Sequence, residues 1–337
     1  GPPRDAREDC GVPHLARRLG AALLLVWLVC TLTFGLLHLA PGDAALLLVP
    51  PEGDAATLAR LRATLGLDAP LGVQYLRWLA ALATGDLGTS LASGRPVATL
   101  LADALPVSAG LGGASLALTV LAGVALGSAQ ARRAGRASDT ALTLATTTVY
   151  AAPTFWLALA AVAAATSGAA ALGLPAAWRL PAFGVRDPGV LDPSGATVDV
   201  VRHAVLPVLV LAATGAAAVA RYARAALVEA ARRDALRTAL AKGVAPRAAW
   251  RRHVVRLAWP AIVTLVALAL PGIVGGSVFV EGVFAWPGMG KLLLTAVQQR
   301  DVPVILGATL AYAVAVIGAN LVADLVLPRL DPRRRAA

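Results

Sequence analysis

Long runs of apolar residues alternate with short polar segments along the 337 residues of the chain. Each run is about 20 residues long and carries few charges, which is the length that an α-helix needs to cross a membrane. The runs lack the strict alternation of membrane β-strands, and lipid offers no partners for open backbone groups, so we expect helices. The pattern predicts six transmembrane helices, at about residues 19–39, 106–129, 140–165, 204–220, 259–280 and 302–327.

The polar segments predict how the chain is divided around these helices. Two amphipathic stretches, at residues 58–65 and 75–79, predict helices that lie at the membrane interface within a long external loop. The predicted division is a cytoplasmic tail at 1–18, a first helix at 19–39, the external loop at 40–105, a core of five helices at 106–327 with a cytoplasmic loop at 223–256, and a second cytoplasmic tail at 328–337.

Composition supports a multi-pass membrane protein. Hydrophobic residues make up 58% of the chain and charged residues only 15%, whereas soluble domains carry about 25% charged residues. This balance argues against a disordered chain and against a soluble enzyme. The net charge of +11 is unevenly distributed, since 21 of the 30 Lys and Arg residues fall in the two tails and in the loops on their side. The positive-inside rule therefore predicts that both termini are cytoplasmic, and topology with some attraction to membrane lipids explains the charge without a nucleic acid.

Residues that could carry chemistry are sparse within the predicted helices. Glu281 and Asp324 lie at helix ends, whereas an ion- or proton-coupled carrier usually places acids near the middle of the membrane. No spacing typical of a metal site, of a serine–histidine pair or of a phosphate-binding loop is present. We therefore expect no catalytic, cofactor or metal site in the chain. A secondary transporter coupled to ions or protons is kept as one candidate function, although the positions of the acids do not favour it. The four histidines are scattered, at His14, His38, His203 and His253.

Small residues repeat at a spacing of four in two of the predicted helices. Gly123 and Gly127 form one such pair, and Gly272 and Gly276 form another. Glycines at this spacing allow two membrane helices to approach closely. Both pairs are therefore predicted to face another helix.

The cytoplasmic loop at 223–256 contains a short amphipathic helix, predicted from Glu229 to about Leu240. Gly243 is expected to end this helix, and Pro246 to begin another. From physical chemistry alone, the helix could dock into a groove on a partner protein or lie on the lipid surface. One face of the helix carries Ala235, Leu236, Ala239 and Leu240, and another carries Arg233 and Arg237.

Residues 233–243 of this loop resemble the "EAA" loop of binding-protein-dependent ABC importer permeases. Further fragments resemble the first permease subunit of the dipeptide/oligopeptide/nickel subfamily, in the same order along the chain. Pro246, which follows Gly243 by three residues, departs from the commonest sequence of this loop in the family and is expected to stiffen it. The other fragments are residues 39–43, 65–70, 74–78, 85–90, 279–290 and 331–333.

The resemblance implies an all-α permease of the type I ABC importer fold in a bacterial inner membrane. It implies a sister permease, two cytoplasmic ATPase subunits that bind ATP and magnesium, and an external solute-binding protein. The solute could be a peptide, a nickel chelate or a short glycan. The residues that the resemblance assigns to ATPase coupling are Glu229, Asp234, Ala235, Arg237, Thr238, Ala239, Lys242 and Gly243, and the candidates for helix packing or gating are Gly272, Gly276, Glu281, Trp286 and Pro287.

Overall fold

In a computed structural model of the chain, the residues described are 12–39, 54–175, 178–190, 192–276 and 278–330. The regular secondary structure of the described residues is helical, which confirms the all-α fold class. An isolated β-bridge joins Thr89 and Pro96. Two π-helical turns, Ala164–Gly168 and Trp250–Val254, continue the chain from α6 into α7 and from α10 into α11. The helices are α1 (Val12–Leu39), α2 (Ala55–Leu65), α3 (Leu71–Ala83), α4 (Val97–Arg132), α5 (Ala137–Ala151), α6 (Thr154–Ala163), α7 (Ala169–Ala171), α8 (Pro193–Ala231), α9 (Asp234–Ala241), α10 (Pro246–Ala249), α11 (Val255–Gly276), α12 (Val278–Val283), α13 (Met289–Gln298) and α14 (Val302–Leu330).

Five helical segments of the described residues are long and apolar enough to cross a membrane. Four of them coincide with predicted spans, and Thr154–Ala171 overlaps only the second half of the span predicted at 140–165. The remaining predicted span, 259–280, falls on α11 and α12, where residue 277 and the side chains of 267–277 lie outside the described residues. The number six therefore stays a prediction. The five segments are Gly20–Leu39, Val97–Arg132, Thr154–Ala171, Gly195–Ala231 and Val302–Val322.

Helices α4 and α8 are much longer than the spans predicted for them. Helix α4 begins at Val97, inside the predicted external loop, and contains Pro106, where the sequence had suggested a start. Helix α8 begins at Pro193, behind the capping residue Asp192, whose side chain accepts a hydrogen bond from the Gly195 amide. A hydropathy pattern finds the apolar stretch of such a helix, and capping residues set where it begins.

The third predicted span is wrong as a single helix, because the structure divides it at Pro153. Ala152 is extended, with φ −71° and ψ 133°, so α5 ends at Ala151 and α6 begins at Thr154. A proline has no amide hydrogen and disfavours the helical conformation in the residue before it. The apolar composition continues across this break, which is why the hydropathy pattern does not reveal it.

The described residues group into two compact units, and the first takes its residues from 1–103 and 292–317. In this unit, Phe34 of α1 packs against Tyr75 and Trp78 of α3, with ring centroids 5.3 and 5.8 Å apart. Asp54 caps α2 by accepting hydrogen bonds from the backbone and hydroxyl of Thr57, which lower the pKa of its carboxyl. Both amphipathic stretches of the predicted external loop are therefore helical.

A buried carboxylate also joins distant segments of the first unit. Asp301, which is 2% exposed, accepts hydrogen bonds from the Ser90 hydroxyl at 2.5 Å and from the backbone amides of Leu91 and Ala92. These bonds hold the loop before α4 against the beginning of α14.

The second unit takes its residues from 104–291 and 318–337, and its helices α4 and α8 pack closely. A Cβ atom added to Gly127 would lie 2.6 Å from the Ala220 carbonyl oxygen, and one added to Gly123 would lie 2.6 Å from the Val219 Cβ. The predicted close approach at Gly123 and Gly127 is thus confirmed. The prediction for Gly272 and Gly276 falls on side chains outside the described residues.

Candidate functional site

The segment between α8 and α11 contains a separate short helix, α9, on which most of the predicted coupling residues lie. The prediction of one helix from Glu229 onward is corrected, because Glu229 belongs to the last turn of α8. Arg233 is extended, with φ −75° and ψ 150°, and this bend separates the two helices. Asp234 then lies in the first turn of α9, where a negative charge interacts favourably with the helix dipole.

The predicted end of α9 at Gly243 is confirmed. Gly243 has φ +78°, a left-handed conformation that glycine adopts without strain. The amide of Gly243 donates to the Leu240 carbonyl at 3.0 Å and that of Val244 to the Ala239 carbonyl at 3.1 Å, which is the hydrogen-bond pattern of a Schellman motif. Pro246 is the first residue of α10, as predicted.

One side of α9 is buried against the rest of the second unit. Ala239 is 5% exposed, and Leu236 packs against the apolar cluster that includes Leu227 of α8 and Val254 of the π-helical turn. The prediction that Ala239 belongs to an exposed docking face is corrected, because this side chain points into its own chain. The exposed residues of the segment include Asp234, Ala235, Arg237, Thr238, Leu240 and Lys242.

A basic groove of about 760 Å³ lies beside the beginning of α9. Ala235 forms part of its wall, together with Leu257 and the side chains of Arg251, Arg252, His253 and Arg256. The groove would attract an acidic surface, because it combines several positive charges with little competing negative charge in its lining.

The turn after α12 is built around Glu281, which is fully buried. Its carboxylate accepts hydrogen bonds from the Ser108 hydroxyl of α4 at 2.7 Å and from the Gly290 amide at 2.7 Å. The same hydroxyl of Ser108 accepts a hydrogen bond from the Met289 amide at 2.8 Å. Glu281 therefore ties the turn to α4, and nothing in the apolar sequence pattern pointed to Ser108 as its partner.

The two other predicted residues of this turn differ in burial. Trp286 is 4% exposed, and its amide donates to the Glu281 carbonyl at 2.8 Å, whereas Pro287 is exposed. Glu281 and Trp286 thus have the packed positions expected of structural residues. A gating role for any of the three stays a prediction.

An ion pair that no sequence motif indicates connects α5 to α8. Arg224 donates two hydrogen bonds to the Asp139 carboxylate, at 2.9 and 2.6 Å, and the Gly135 amide donates a third at 3.1 Å. Arg224 and Asp139 are 85 residues apart in the chain. Only the fold could reveal this pair.

The fold also brings together Asp187, Asp199 and His203, although sequence spacing had suggested no metal-ligating group. The Nδ1 atom of His203 is hydrogen-bonded to the Asp199 carbonyl at 2.8 Å, and its Nε2 atom lies 3.7 Å from the Asp187 carboxylate. The Asp187 amide donates to the Asp199 carboxylate at 2.6 Å. The carboxylates of Asp187 and Asp199 lie near different nitrogens of the His203 ring. This arrangement fits residues that hold the loop before α8 in place better than it fits ligands of one shared metal ion.

Comparison with known families gives two matches that together cover most of the chain. The family described as "Binding-protein-dependent transport system inner membrane component" matches residues 120–336. The family described as "Binding-prot-dependent transport system membrane comp, N-term" matches residues 12–112.

Relatives with a similar sequence align along nearly their whole length. The oligopeptide transport system permease protein AppB of Bacillus subtilis is 32% identical over 95% of this chain and 98% of its own. The glutathione transport system permease protein GsiC of Salmonella paratyphi A is 36% identical over 96% of this chain and 98% of its own. The probable D,D-dipeptide transport system permease protein DdpB of Escherichia coli is 34% identical over 95% of this chain and 96% of its own.

These matches support a permease of an ATP-driven importer over an ion- or proton-coupled secondary transporter. They agree with the resemblance seen in the loop around α9 and with the apolar helices of the fold. The chain belongs to the family of binding-protein-dependent transport system inner membrane components, the multi-pass permease subunits of ABC importers.

Proposed function

We propose that this permease forms half of a translocation pathway for peptides and that α9 couples the pathway to partner ATPases. The peptide substrate is supported by similar permeases, whose names assign them to the transport of oligopeptides, glutathione or a D,D-dipeptide. Nickel chelates and short glycans are the other solutes to be tested.

The observation that carries the coupling role is the two-sided character of α9. Leu236 and Ala239 fix the helix to its own chain, while Ala235, Thr238 and Leu240 remain exposed. A short helix that packs against its own chain on one side and is exposed on the other can pass a displacement from a bound partner to the helices it contacts. A helix held only by lipid would not need a buried inner face.

The mechanism follows from the contacts of this inner face. Leu236 packs against a buried cluster to which α8 contributes Leu227 and the π-helical turn before α11 contributes Val254. A displacement of α9 would therefore act on both α8 and α11. ATP-driven closure of the ATPases would shift these helices toward the outward-open state, and hydrolysis would return them, because the partners bias two packings of one chain.

The proposed assembly assigns the remaining roles to partner chains. A similar but distinct sister permease would complete the pathway, two cytoplasmic ATPases would bind ATP and magnesium, and an external binding protein would deliver the solute. This chain would contribute no ATPase site or cofactor of its own. The charge distribution supports cytoplasmic positions for both termini and hence for α9.

The test is uptake by the complete transporter in proteoliposomes, with the loaded binding protein outside and ATP inside. We expect labelled peptide to accumulate only with hydrolysable ATP, and accumulation to persist when proton and sodium gradients are removed. Uptake that follows an ion gradient and ignores ATP would contradict the proposed function. Uptake of a nickel chelate in place of peptides would contradict only the proposed substrate.

A further inference from the structure

A small polar pocket lies between α4, α5 and α8, apart from the coupling segment. Its volume is about 60 Å³, about that of two waters in the liquid and therefore room for a carboxylate group. The pocket is lined by Gln130, Thr143, Thr146, Thr147, Tyr150, Ala217, Arg221 and Arg224.

One wall of the pocket has an unpaired acceptor. Gln130 is 1% exposed, and its Nε2 atom donates to the Thr146 hydroxyl at 3.2 Å. Its Oε1 atom has no hydrogen-bond partner among the described residues. Because buried amide oxygens are normally paired, this atom indicates a place for a donor that the chain itself does not supply.

The lining also contains an exposed arginine, Arg221. The Arg221 guanidinium lies 4.6 Å from the ring centroid of Tyr150, and within the described part of the chain no carboxylate pairs with it. Its neighbour Arg224, in contrast, is bound to Asp139. Arg221 lies about ten residues, or roughly 15 Å, before the end of α8. Arg221 is exposed and lies directly after the predicted span 204–220, so its charge is available to a solute at that end of the helix.

An apolar groove adjoins the polar pocket. It has a volume of about 600 Å³ and lies at the break between α5 and α6, with Leu144, Phe155 and Trp156 in its wall. Thr147 lines both the pocket and the groove. The two cavities therefore meet along α5, where residues three and four apart lie on the same or neighbouring faces. Breaks in membrane helices are places where transporters bind solutes.

We propose that this pocket and groove form a subsite for the carboxy-terminal residue of a transported peptide. Arg221 pairs with the terminal carboxylate, and Gln130 Oε1 accepts a hydrogen bond from the adjacent amide N–H. The side chain of the terminal residue lies in the groove along Phe155 and Trp156. The subsite rests on the proposed peptide transport and names the residues that contact the peptide.

The experiment compares one peptide as its free acid and as its carboxy-terminal amide. The complete transporter is reconstituted in proteoliposomes, and the binding protein is saturated with each form so that its own affinity does not enter the comparison. In the wild type we expect the acid to enter about tenfold faster than the amide, as a charged hydrogen bond allows. Arg221→Gln should remove this preference, and Arg221→Lys should retain most of it.

The matched control is Arg133→Gln, which removes an equal charge from an exposed position of the same unit outside the pocket. It should keep the preference for the acid. An unchanged preference in Arg221→Gln, with ATP-dependent uptake intact, would overturn the subsite and leave the proposed function standing. Absence of peptide uptake by the wild type would overturn the proposed function itself.

A second measurement decides the question if Arg221→Gln fails to assemble. A cysteine at Thr147, in a chain whose Cys10 and Cys30 are replaced, reports occupancy through its rate of alkylation during ATP turnover. The peptide acid should slow alkylation several-fold, and the amide should have little effect. Equal rates with and without the acid would overturn the subsite.

Discussion

At the scale of single residues, buried carboxylates connect segments that are far apart in the sequence. Glu281 holds the turn after α12 to α4, Asp301 holds the loop before α4, and Asp139 joins α5 to α8. Each receives at least two hydrogen bonds, which offset the cost of burying its charge. The sequence placed Glu281 among the candidates for helix packing or gating but could not reveal its partners, since pairing depends on the fold.

The first prediction concerns Glu281. Replacing it with Gln removes charge-assisted hydrogen bonds and should lower the unfolding free energy by about 1.5–3 kcal/mol. Leu should cost more, because the Gly290 amide and the Ser108 hydroxyl would both lose their buried acceptor. Thermal unfolding of the purified transporter in detergent measures the change.

The control for this change is Glu229→Gln, because Glu229 has a carboxylate side chain that is 67% exposed. We expect its unfolding temperature to match the wild type within error. Equal stability of the Glu281→Leu variant and the wild type would contradict the structural role of the buried carboxylate.

At the scale of helices, small residues decide how closely α4 and α8 approach. The second prediction is that Gly127→Val destabilises the second unit by about 1–3 kcal/mol or more, since the added side chain would meet the α8 backbone. Gly110→Val is the matched control on the same helix, because a Cβ there meets nothing within 4 Å. Thermal unfolding of the two variants should separate them, and equal losses would argue against close packing at Gly127.

The third prediction separates the two sides of α9. Ala239→Asp buries a charge within the chain and should reduce the stability or yield of the permease itself. Ala235→Asp changes the exposed side and should leave stability intact while lowering peptide-stimulated ATP hydrolysis. Unfolding temperature and ATPase stimulation are measured on the same preparations, and normal stimulation in Ala235→Asp would remove this residue from the docking surface.

Hydropathy predicted the apolar helices well but not their interruptions. The long apolar runs of α1, α4, α8 and α14 were recognised as helices, because a backbone that crosses lipid must form its hydrogen bonds within the segment. The break at Pro153 and the bend at Arg233 depend on local backbone preferences within stretches that otherwise favour a helix. The burial of Ala239 was missed because the apolar face of α9 does not by itself show whether it packs against its own chain or against a partner.

At the scale of the whole molecule, function depends on which side of the membrane α9 occupies. The fourth prediction is that a cysteine at Gly189 reacts with an impermeant thiol reagent added outside intact cells, while one at Arg136 does not. Both variants are made without Cys10 and Cys30. The charge distribution supports this orientation, and the opposite labelling pattern would place α9 on the external side, out of reach of an ATPase.

The central claim is that the exposed side of α9 contacts a partner ATPase, and cross-linking tests it directly. A photoreactive side chain at Thr238, which is exposed on α9, should form a covalent product with the ATPase subunit in the assembled transporter. The same group at Thr84, which is exposed at the end of α3, should form no such product. A transporter that imports peptide normally but yields only lipid adducts from Thr238 would contradict the account.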